Sequence, residues 1–241
     1  MVHRACRYYQ PPADGNPIVA VFENPTWREV CFGRPVMGVA GSNLCVLFQL
    51  LRALWVKADG FIRGVPRECF YRCKCAIVDG SKSVYSCSKE KSDGKFQSDV
   101  AQNADLIRGV LSEEAIVVCF GKRASKAIDI VIQDSEIILK HRVDVCQLST
   151  LGLQRISNTG GLLNSLKLPE CMRGMIPLLI VAEYILAKLA QKEVGDFETF
   201  KKGFVKSGDG CYPLGFIPLW DDRVGKEFKK MQVNCVDCCW R

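Results

Sequence analysis

Two side chains that could do chemistry stand directly after an apolar run near the start of the chain. The run over residues 18–22 is β-branched and apolar, as in a buried strand, and it ends at the polar turn Glu23-Asn24-Pro25. Because ligands of open α/β sheets bind at the carboxyl ends of strands, Glu23 and Asn24 lie where chemistry is usually done. An amide is a poor general base, so Asn24 would position water or stabilise a cation, whereas Glu23 could supply a carboxylate. Asn before Pro is also a common turn starter, which is the structural alternative for Asn24.

A glycine-rich loop and a helix follow this turn. The loop covers residues 33–41 and reads GRPVMGVAG. Ser42 then begins a helical pattern, because serine is a preferred N-cap and apolar residues recur after it at three- and four-residue spacing. These apolar positions are Leu44, Leu47, Phe48, Leu51 and Leu54. The sequence thus predicts a strand, a long loop and a helix, with the polar turn directly after the strand.

Strands and helices are predicted to alternate along the rest of the chain. Apolar runs predict strands over 69–78, 115–120 and 143–148, and helical spacing predicts helices over 99–111, 124–132 and 177–191. We therefore predict a three-layer α/β/α domain with a central, mostly parallel four-stranded sheet over 1–194. Residues 195–241 are basic, aromatic and cysteine-containing, and we expect an extension packed on that domain.

The composition limits the class of protein. The 241 residues are 48% hydrophobic, enough for a buried core, and the net charge of +7 is compatible with DNA as an anionic partner. Residues 1–15 are polar and carry no secretory leader pattern. The most apolar run, 175–189, is interrupted by Glu183 and Lys188 and is too short to span a bilayer. We expect a soluble, cytoplasmic monomer without membrane contacts.

The chain contains 14 cysteines, a high number for a protein of this length. Without a secretory leader most of them should be reduced thiols in or near the core, and we expect no cofactor. Two clusters leave an iron–sulfur or zinc site open as the alternative. They consist of Cys69, Cys73, Cys75 and Cys87, and of Cys235, Cys238 and Cys239.

The order of residues in the first motif resembles the uracil-DNA glycosylase superfamily. Its members carry a strand, a short acidic or amide turn before proline, and a Gly-x-Pro-Phe-x-Gly-x-Ala-Gly segment before a helix. Here the turn is Phe22-Glu23-Asn24-Pro25, and the segment is residues 33–41. The resemblance implies a DNA glycosylase that hydrolyses the N-glycosidic bond of a flipped base. No lysine is placed for a Schiff base, so a monofunctional enzyme is expected.

The second family motif is altered in this chain. Where the superfamily has His-Pro-Ser after the last strand, this sequence has Gln147-Leu148-Ser149, and neither His3 nor His141 lies near it. Gln147 can donate a hydrogen bond to the departing base through its amide, but it cannot become an imidazolium. The resemblance therefore implies Asn24, Glu23 and Gln147 as catalytic residues.

The predicted base pocket also departs from the family pattern. It consists of Pro25, Val36, Cys73 and Lys74. Val36 occupies the position of the family phenylalanine that stacks on the base. Cys73 or Lys74 falls where the family has an asparagine that ends the second strand and reads the uracil edge.

The segment after Gln147 is expected to contact DNA. In the glycosylase interpretation Leu151, Leu153 or Arg155 fills the space left by the flipped nucleotide. Ser149, Ser157 and Asn158 would contact phosphates. The alternative is that Leu151, Leu153 and Ile156 are simply core residues.

These departures favour a base bulkier than uracil. Loss of a stacking ring opens the pocket, and a lysine would add a cationic donor, which suits a hydroxymethylated or glycosylated cytosine of phage DNA. Such a substrate would make the protein an antiviral defence enzyme. Two alternatives stay open: an ordinary uracil-DNA glycosylase of base-excision repair, and a catalytically silent nucleic-acid-binding protein of the same fold.

Overall fold

A computed structural model describes residues 9–13, 15–58, 62, 65–81, 92–133, 135, 137–157, 175–206 and 222–234. The protein is an α/β protein. Its described strands are β1 (Tyr9–Gln10), β2 (Ile18–Phe22), β3 (Ala76–Asp79), β4 (Ile116–Phe120) and β5 (His141–Val145). Its described helices are α1 (Trp27–Phe32), α2 (Gly38–Ala58), α3 (Asp93–Ala101), α4 (Ala104–Arg108), α5 (Lys122–Gln133), α6 (Thr150–Ser157), α7 (Ile176–Leu189), α8 (Phe197–Lys206) and α9 (Asp222–Asn234).

The strands form one mixed sheet in the order β1-β3-β2-β4-β5. The last four strands in chain order pair in parallel, with Phe22 opposite Asp79 and Phe120 opposite Val145. This confirms the mostly parallel sheet but corrects its size, because β1 adds a fifth, antiparallel strand at one edge. With two residues, β1 is too short to produce a recognisable sequence pattern.

The chain divides into two compact units. The first comprises Met1–Gly41 and Cys73–Gln147 and contains the whole sheet with α1, α3, α4 and α5. The second comprises Ser42–Arg72 and Leu148–Arg241 and contains most of α2 together with α6 to α9. The predicted boundary at residue 195 is a different division and stays a prediction.

The core of the first unit lies between one face of the sheet and α3, α4 and α5. Val21, Val78 and Val117 of the strands pack there with Phe96 of α3 and Ile128 of α5. Strand residues of the opposite face are buried as well, among them Ile18, Ala20, Phe22, Ile77 and Phe120. Strands that are apolar on both faces are typical of parallel sheets.

The second unit is built around α7. Nearly every residue of that helix is buried. Its Tyr184 ring packs on Phe197 and Phe200 of α8, with ring centroids 5.3 and 5.2 Å apart. Helix α8 thus packs directly on the helix before it. An ion pair between Arg67 and Glu227, at 2.8 Å, joins α9 to the turn before β3.

One helix in the described part of the chain is apolar and long enough to cross a membrane by length and composition. The window is Gly38–Trp55 of α2, and 67% of it is buried inside the structure. Core helices of soluble proteins show the same burial.

Several element boundaries differ from the sequence predictions. The strand predicted over 69–78 is a 3-10 turn (Arg67–Cys69) followed by the short strand β3. The helix predicted over 99–111 is interrupted between α3 and α4, where the Asn103 amide donates to the carbonyl oxygen of Asp79 at 2.6 Å. Helix α2 begins at Gly38 instead of Ser42, because Gly38 accepts the positive φ of 70° that leads into the helix.

Candidate active site

The four parallel strands end at one edge of the sheet, in the first unit, and polar residues cluster there. Glu23 follows β2, Asp79 ends β3, Gly121 follows β4, and Gln147 lies two residues beyond β5. Carboxyl ends of parallel strands are the usual location of ligand sites in α/β proteins.

Glu23 and Gln147 are in direct contact, as expected for members of one site. The Gln147 amide nitrogen donates to Glu23 Oε2 at 2.7 Å. On the other side, Arg123 Nη1 of α5 lies 3.5 Å from Glu23 Oε1. Arg123 was not predicted from the sequence, although it follows the glycine that links β4 to α5. The site therefore contains a carboxylate flanked by an amide and a guanidinium.

Gly121 makes this contact sterically possible. Its φ of +102° is a backbone conformation that L side chains rarely adopt. A Cβ atom on Gly121 would lie 2.5 Å from Cγ of Gln147. Its N–H donates to the carbonyl oxygen of Val145 at 2.8 Å, so β4 and β5 stay paired up to the site. Glycine at this position thus allows Gln147 to reach across toward Glu23.

Asn24 and Pro25 lie in the turn directly after Glu23. Asn24 is partly buried and its amide nitrogen donates to the carbonyl oxygen of Pro25 at 3.0 Å. Pro25 is buried. The turn is held by the residues after β3, since Ser81 N–H donates to the Glu23 carbonyl oxygen at 3.1 Å. The amide contact with Pro25 is compatible with both the turn role and the catalytic role of Asn24.

Glu29 ties α1 to the glycine-rich loop, a role that the sequence analysis missed. It forms a capping box with Thr26, whose N–H donates to Glu29 Oε2. The other oxygen, Oε1, accepts the N–H of Met37 at 2.9 Å. The pattern Thr-x-x-Glu is a known helix-start signature and could have located this residue. Glu29 is buried and thereby places a carboxylate beneath the loop.

Val36 adopts an unusual backbone conformation in that loop. Its φ is +55°, and its side chain is buried. For a β-branched residue this region is a genuine outlier that costs about 1–3 kcal/mol and is found mainly at functional sites. The glycines on either side, Gly33 and Gly38, also have positive φ angles of 67° and 70°. The assignment of Val36 to a base pocket stays a prediction.

Asp79 is the most unusual residue of the site and was absent from the sequence-based set. Its side chain is fully buried, and neither carboxyl oxygen has a hydrogen-bond partner within the described part of the chain. Burial, together with the nearby Glu29 carboxylate, holds the pKa of the Asp79 carboxyl well above its ordinary value. Burial therefore favours the protonated form of Asp79.

Asp79 lies beside an aromatic pair. Its register partner on β2 is Phe22, and residues paired in register project from the same face of a sheet. The Phe22 ring stacks on Phe120 with ring centroids 4.7 Å apart. A buried carboxyl with a raised pKa next to apolar rings is a typical functional-site arrangement.

Cys73 and Lys74 do not lie at the carboxyl end of a strand, where the alignment put them, and their assignment to a base pocket stays a prediction. Both residues precede β3 and so lie toward its amino end, away from the carboxyl edge. Cys73 is exposed, and the carbonyl oxygen of Lys74 accepts the N–H of Ala13 at 2.8 Å. The strand predicted over 69–78 ends within one residue of β3, whereas Cys73 and Lys74 lie in the middle of that run, in the turn after the 3-10 segment. The residue that ends the second long strand is Asp79.

The predicted DNA-contacting segment lies in the second unit. The Ser149 hydroxyl accepts the N–H of Gly152 at 3.2 Å at the start of α6. Leu151 is 71% exposed and Ile156 is buried, so only the latter fits the core alternative. Leu153 is partly buried and Arg155 is exposed. Ser157 ends α6, but its side chain and all of Asn158 lie outside the described residues.

No metal site is formed by the residues that the structure describes, since no three His, Cys, Asp or Glu side chains are grouped to hold an ion. Cys69 and Cys75 are buried, and Cys73 is exposed. Cys87 and the group Cys235, Cys238 and Cys239 lie outside the described ranges, so the iron–sulfur or zinc alternative stays untested for them.

No protein-family model matches the chain, and no curated protein matches it. The functional interpretation therefore depends on the residues and geometry of the site itself.

Proposed function

We propose that this protein is a monofunctional DNA glycosylase that hydrolyses the N-glycosidic bond of a flipped, modified pyrimidine, on a three-layer domain of the uracil-DNA glycosylase type. One observation carries the proposal. The turn after β2 and the segment after β5 are far apart in the sequence, yet Gln147 donates to Glu23 at 2.7 Å. These are the two segments that carry the motifs of the resembled superfamily.

Each residue has a role that the reaction requires. Cleavage of the bond needs a stabilised leaving base and a water molecule at C1′ of the sugar. Asn24 positions that water or stabilises the cationic sugar, and the Glu23 carboxylate accepts the proton of the water. Gln147 donates a hydrogen bond to the departing base as negative charge builds on it.

The proposed substrate is a bulky pyrimidine such as hydroxymethylated or glycosylated cytosine of phage DNA. Val36 cannot stack on a base as a phenylalanine would, and its smaller side chain would leave room for a substituent on the base. An enzyme of this specificity would act in defence against phage. Plain uracil is the alternative substrate, and it would place the protein in base-excision repair.

A second candidate function is a catalytically silent nucleic-acid-binding protein. The observation that favours it is the 3.0 Å hydrogen bond from the Asn24 amide to the Pro25 carbonyl oxygen, which is the contact of a turn-forming asparagine. In this case Glu23, Arg123 and Gln147 would stabilise the edge of the sheet without acting on a ligand.

The Asn24→Ala variant distinguishes the two candidates. Single-stranded and duplex DNA carrying uracil, 5-hydroxymethylcytosine or its glucosylated form would be incubated with the protein, and alkali-labile abasic sites would be counted. We expect the variant to lose base release by about a thousandfold or more, the scale of a missing transition-state contact. Its DNA affinity and melting temperature should change little.

Gln133→Ala provides the matched control, because Gln133 is an exposed amide at the end of α5. It should retain wild-type activity. Unchanged turnover in Asn24→Ala would eliminate the catalytic role of Asn24. Wild-type protein that cleaves none of these substrates but binds DNA in a salt-dependent manner would support the silent binder.

A further inference from the structure

The Asp79 carboxyl has no function in the mechanism above, although it lies at the same edge of the sheet as Glu23 and Gln147. It is fully buried, and both of its oxygens lack partners among the described residues. Leaving a buried polar group unsatisfied destabilises the folded state, because the group has given up its hydrogen bonds to water. Native proteins keep few such groups, and each needs an explanation.

A bound ligand would satisfy this carboxyl. In its acid form Asp79 offers one O–H donor and one carbonyl acceptor side by side. The Watson–Crick edge of cytosine offers the complementary pair, a ring nitrogen that accepts and an amino group that donates. Phe22, which is Asp79's register partner, and the Phe120 ring stacked on it supply an apolar surface beside the carboxyl. A flat aromatic base with an amino edge matches both features.

We propose that Asp79 is a catalytic residue that donates its proton to the ring nitrogen N3 of a flipped cytosine-type base, so that the enzyme acts on amino-pyrimidines in preference to oxo-pyrimidines. This inference rests on the proposed glycosylase function and specifies the substrate class of the same site. The amino group of the base would donate to the second oxygen of Asp79 at the same time.

The proton balance of the step is complete without any further reagent. The bond between C1′ and N1 breaks, and its electron pair stays with the base. The proton of Asp79 passes to N3, so the base leaves as a neutral molecule and Asp79 becomes a carboxylate. Water forms the new bond to C1′ and gives its proton to Glu23. Glu23 then releases that proton, and Asp79 regains one from solvent.

The enzyme should prefer amino-pyrimidines because the exocyclic amino group determines whether N3 of the base can accept a proton. The N3 atom of cytosine has a free lone pair and accepts a proton, whereas the N3 atom of uracil already carries one. Uracil leaves instead as an anion, which a neutral acid stabilises only by a hydrogen bond. A proton donor at Asp79 thus accelerates release of a cytosine far more than release of a uracil.

The surroundings of Asp79 keep the proton available. Burial raises the pKa of the Asp79 carboxyl, and the Glu29 carboxylate of α1 raises it further. The Asn103 amide between α3 and α4 donates to the backbone oxygen of Asp79 and leaves the carboxyl oxygens untouched. Because the carboxyl is fully buried, a base reaches it only after a rearrangement. The loop before α2 is the segment linked to this region, through the bond from Met37 to Glu29.

The test compares two substrates that differ only at the amino position. Single-stranded oligonucleotides would carry one 5-hydroxymethylcytosine or one 5-hydroxymethyluracil, so that the substituent is the same in both. Free base would be quantified by mass spectrometry for wild type, Asp79→Asn and Asp105→Asn. Asn keeps the size and one donor–acceptor pair but has no acidic proton. Asp105 is an exposed aspartate of α4 and serves as the control.

We expect wild type and Asp105→Asn to release hydroxymethylcytosine faster than hydroxymethyluracil. Asp79→Asn should lose hydroxymethylcytosine release by about 10² to 10⁴-fold, the usual contribution of a general acid, while hydroxymethyluracil release falls less than tenfold. In wild type, the rate with hydroxymethylcytosine should decline at alkaline pH as Asp79 ionises, and this profile holds even if the variant folds poorly.

Other results separate the two proposals. Release of hydroxymethyluracil but not hydroxymethylcytosine by wild type would overturn this inference and leave the glycosylase proposal intact. Equal loss of both activities in a folded Asp79→Asn variant would also overturn it, because Asp79 would then act through structure. Release of neither base nor uracil by wild type would overturn the glycosylase proposal and this inference together.

Discussion

Two polar clusters in the first unit differ in how completely their side chains are paired. Around Arg142 of β5, the guanidinium donates to Asp129 at 2.5 Å, to Asp144 at 3.1 Å and to the Ser125 hydroxyl at 2.6 Å. At the carboxyl edge of the sheet, Asp79 is more deeply buried and has no partner for either oxygen within the described residues. Side chains that are hydrogen-bonded to one another stabilise the fold, whereas a buried polar side chain without such bonds indicates a binding site for a ligand.

The difference between the two clusters can be tested first with Gly121→Ala, which closes the carboxyl edge of the sheet sterically. The new Cβ would lie 2.5 Å from Gln147 Cγ, at a φ of +102° that alanine rarely adopts. We expect a loss of about 1–3 kcal/mol in the free energy of unfolding, and loss of the hydrogen bond from Gln147 to Glu23. Urea denaturation measures the first effect.

A suitable control is Gly94→Ala, since nothing lies within 4 Å of a Cβ at that position of α3 and its φ is not positive. Alanine in a helix should leave stability unchanged or slightly raised there. If Gly121→Ala were as stable as wild type, Gln147 would not depend on glycine at this position.

The paired cluster can be tested with Arg142→Met, which removes its cation. The side chain is 21% exposed and its partner Asp129 is 60% exposed, so solvent screens the ion pair and the expected loss is modest, about 1 kcal/mol. The loss should shrink at high salt. Base release should be unaffected, because the cluster contains none of the proposed catalytic residues.

Arg108→Met is the comparison variant, since Arg108 pairs with a fully exposed Asp105 at 3.0 Å. It should cost less than Arg142→Met. A larger loss for Arg108→Met would mean that the multiple contacts of Arg142 do not add stability.

The sequence predicted the parts of the fold that depend on local patterns. The runs that became β2 and β4 are continuously buried, and the predicted positions agree with the structure within one residue. The polar turn at Glu23 and its meeting with Gln147 follow from the parallel order of the strands. These features could be predicted because apolar runs form the buried strands and polar residues follow them at the carboxyl edge of the sheet.

The missed features depend on packing and on contacts that no sequence pattern fixes. Asp79 directly follows the run predicted as a strand over 69–78, so its place at the carboxyl edge could have been predicted, whereas the complete burial of its side chain could not. The Thr-x-x-Glu pattern could have located the bond between Glu29 and Thr26, whereas the bond from the Met37 N–H to Glu29 depends on the loop conformation. The antiparallel strand β1 is defined only by its pairing with β3.

The central proposal is that the Asp79 carboxyl, whose pKa is raised by burial and whose oxygens have no hydrogen-bond partner among the described residues, is kept for a ligand at a cost to stability. Above the ordinary carboxyl pKa of about 3.9 the unfolded chain loses this proton while the folded protein keeps it, so the free energy of unfolding falls as pH rises. The most direct measurement is urea denaturation of wild type and Asp79→Asn from pH 4 to pH 8. We predict that the variant is more stable than wild type by about 1 kcal/mol or more at pH 7, and that this gain disappears as pH falls to about 4. A variant that is less stable than wild type at every pH would show that the Asp79 carboxyl is paired and structural.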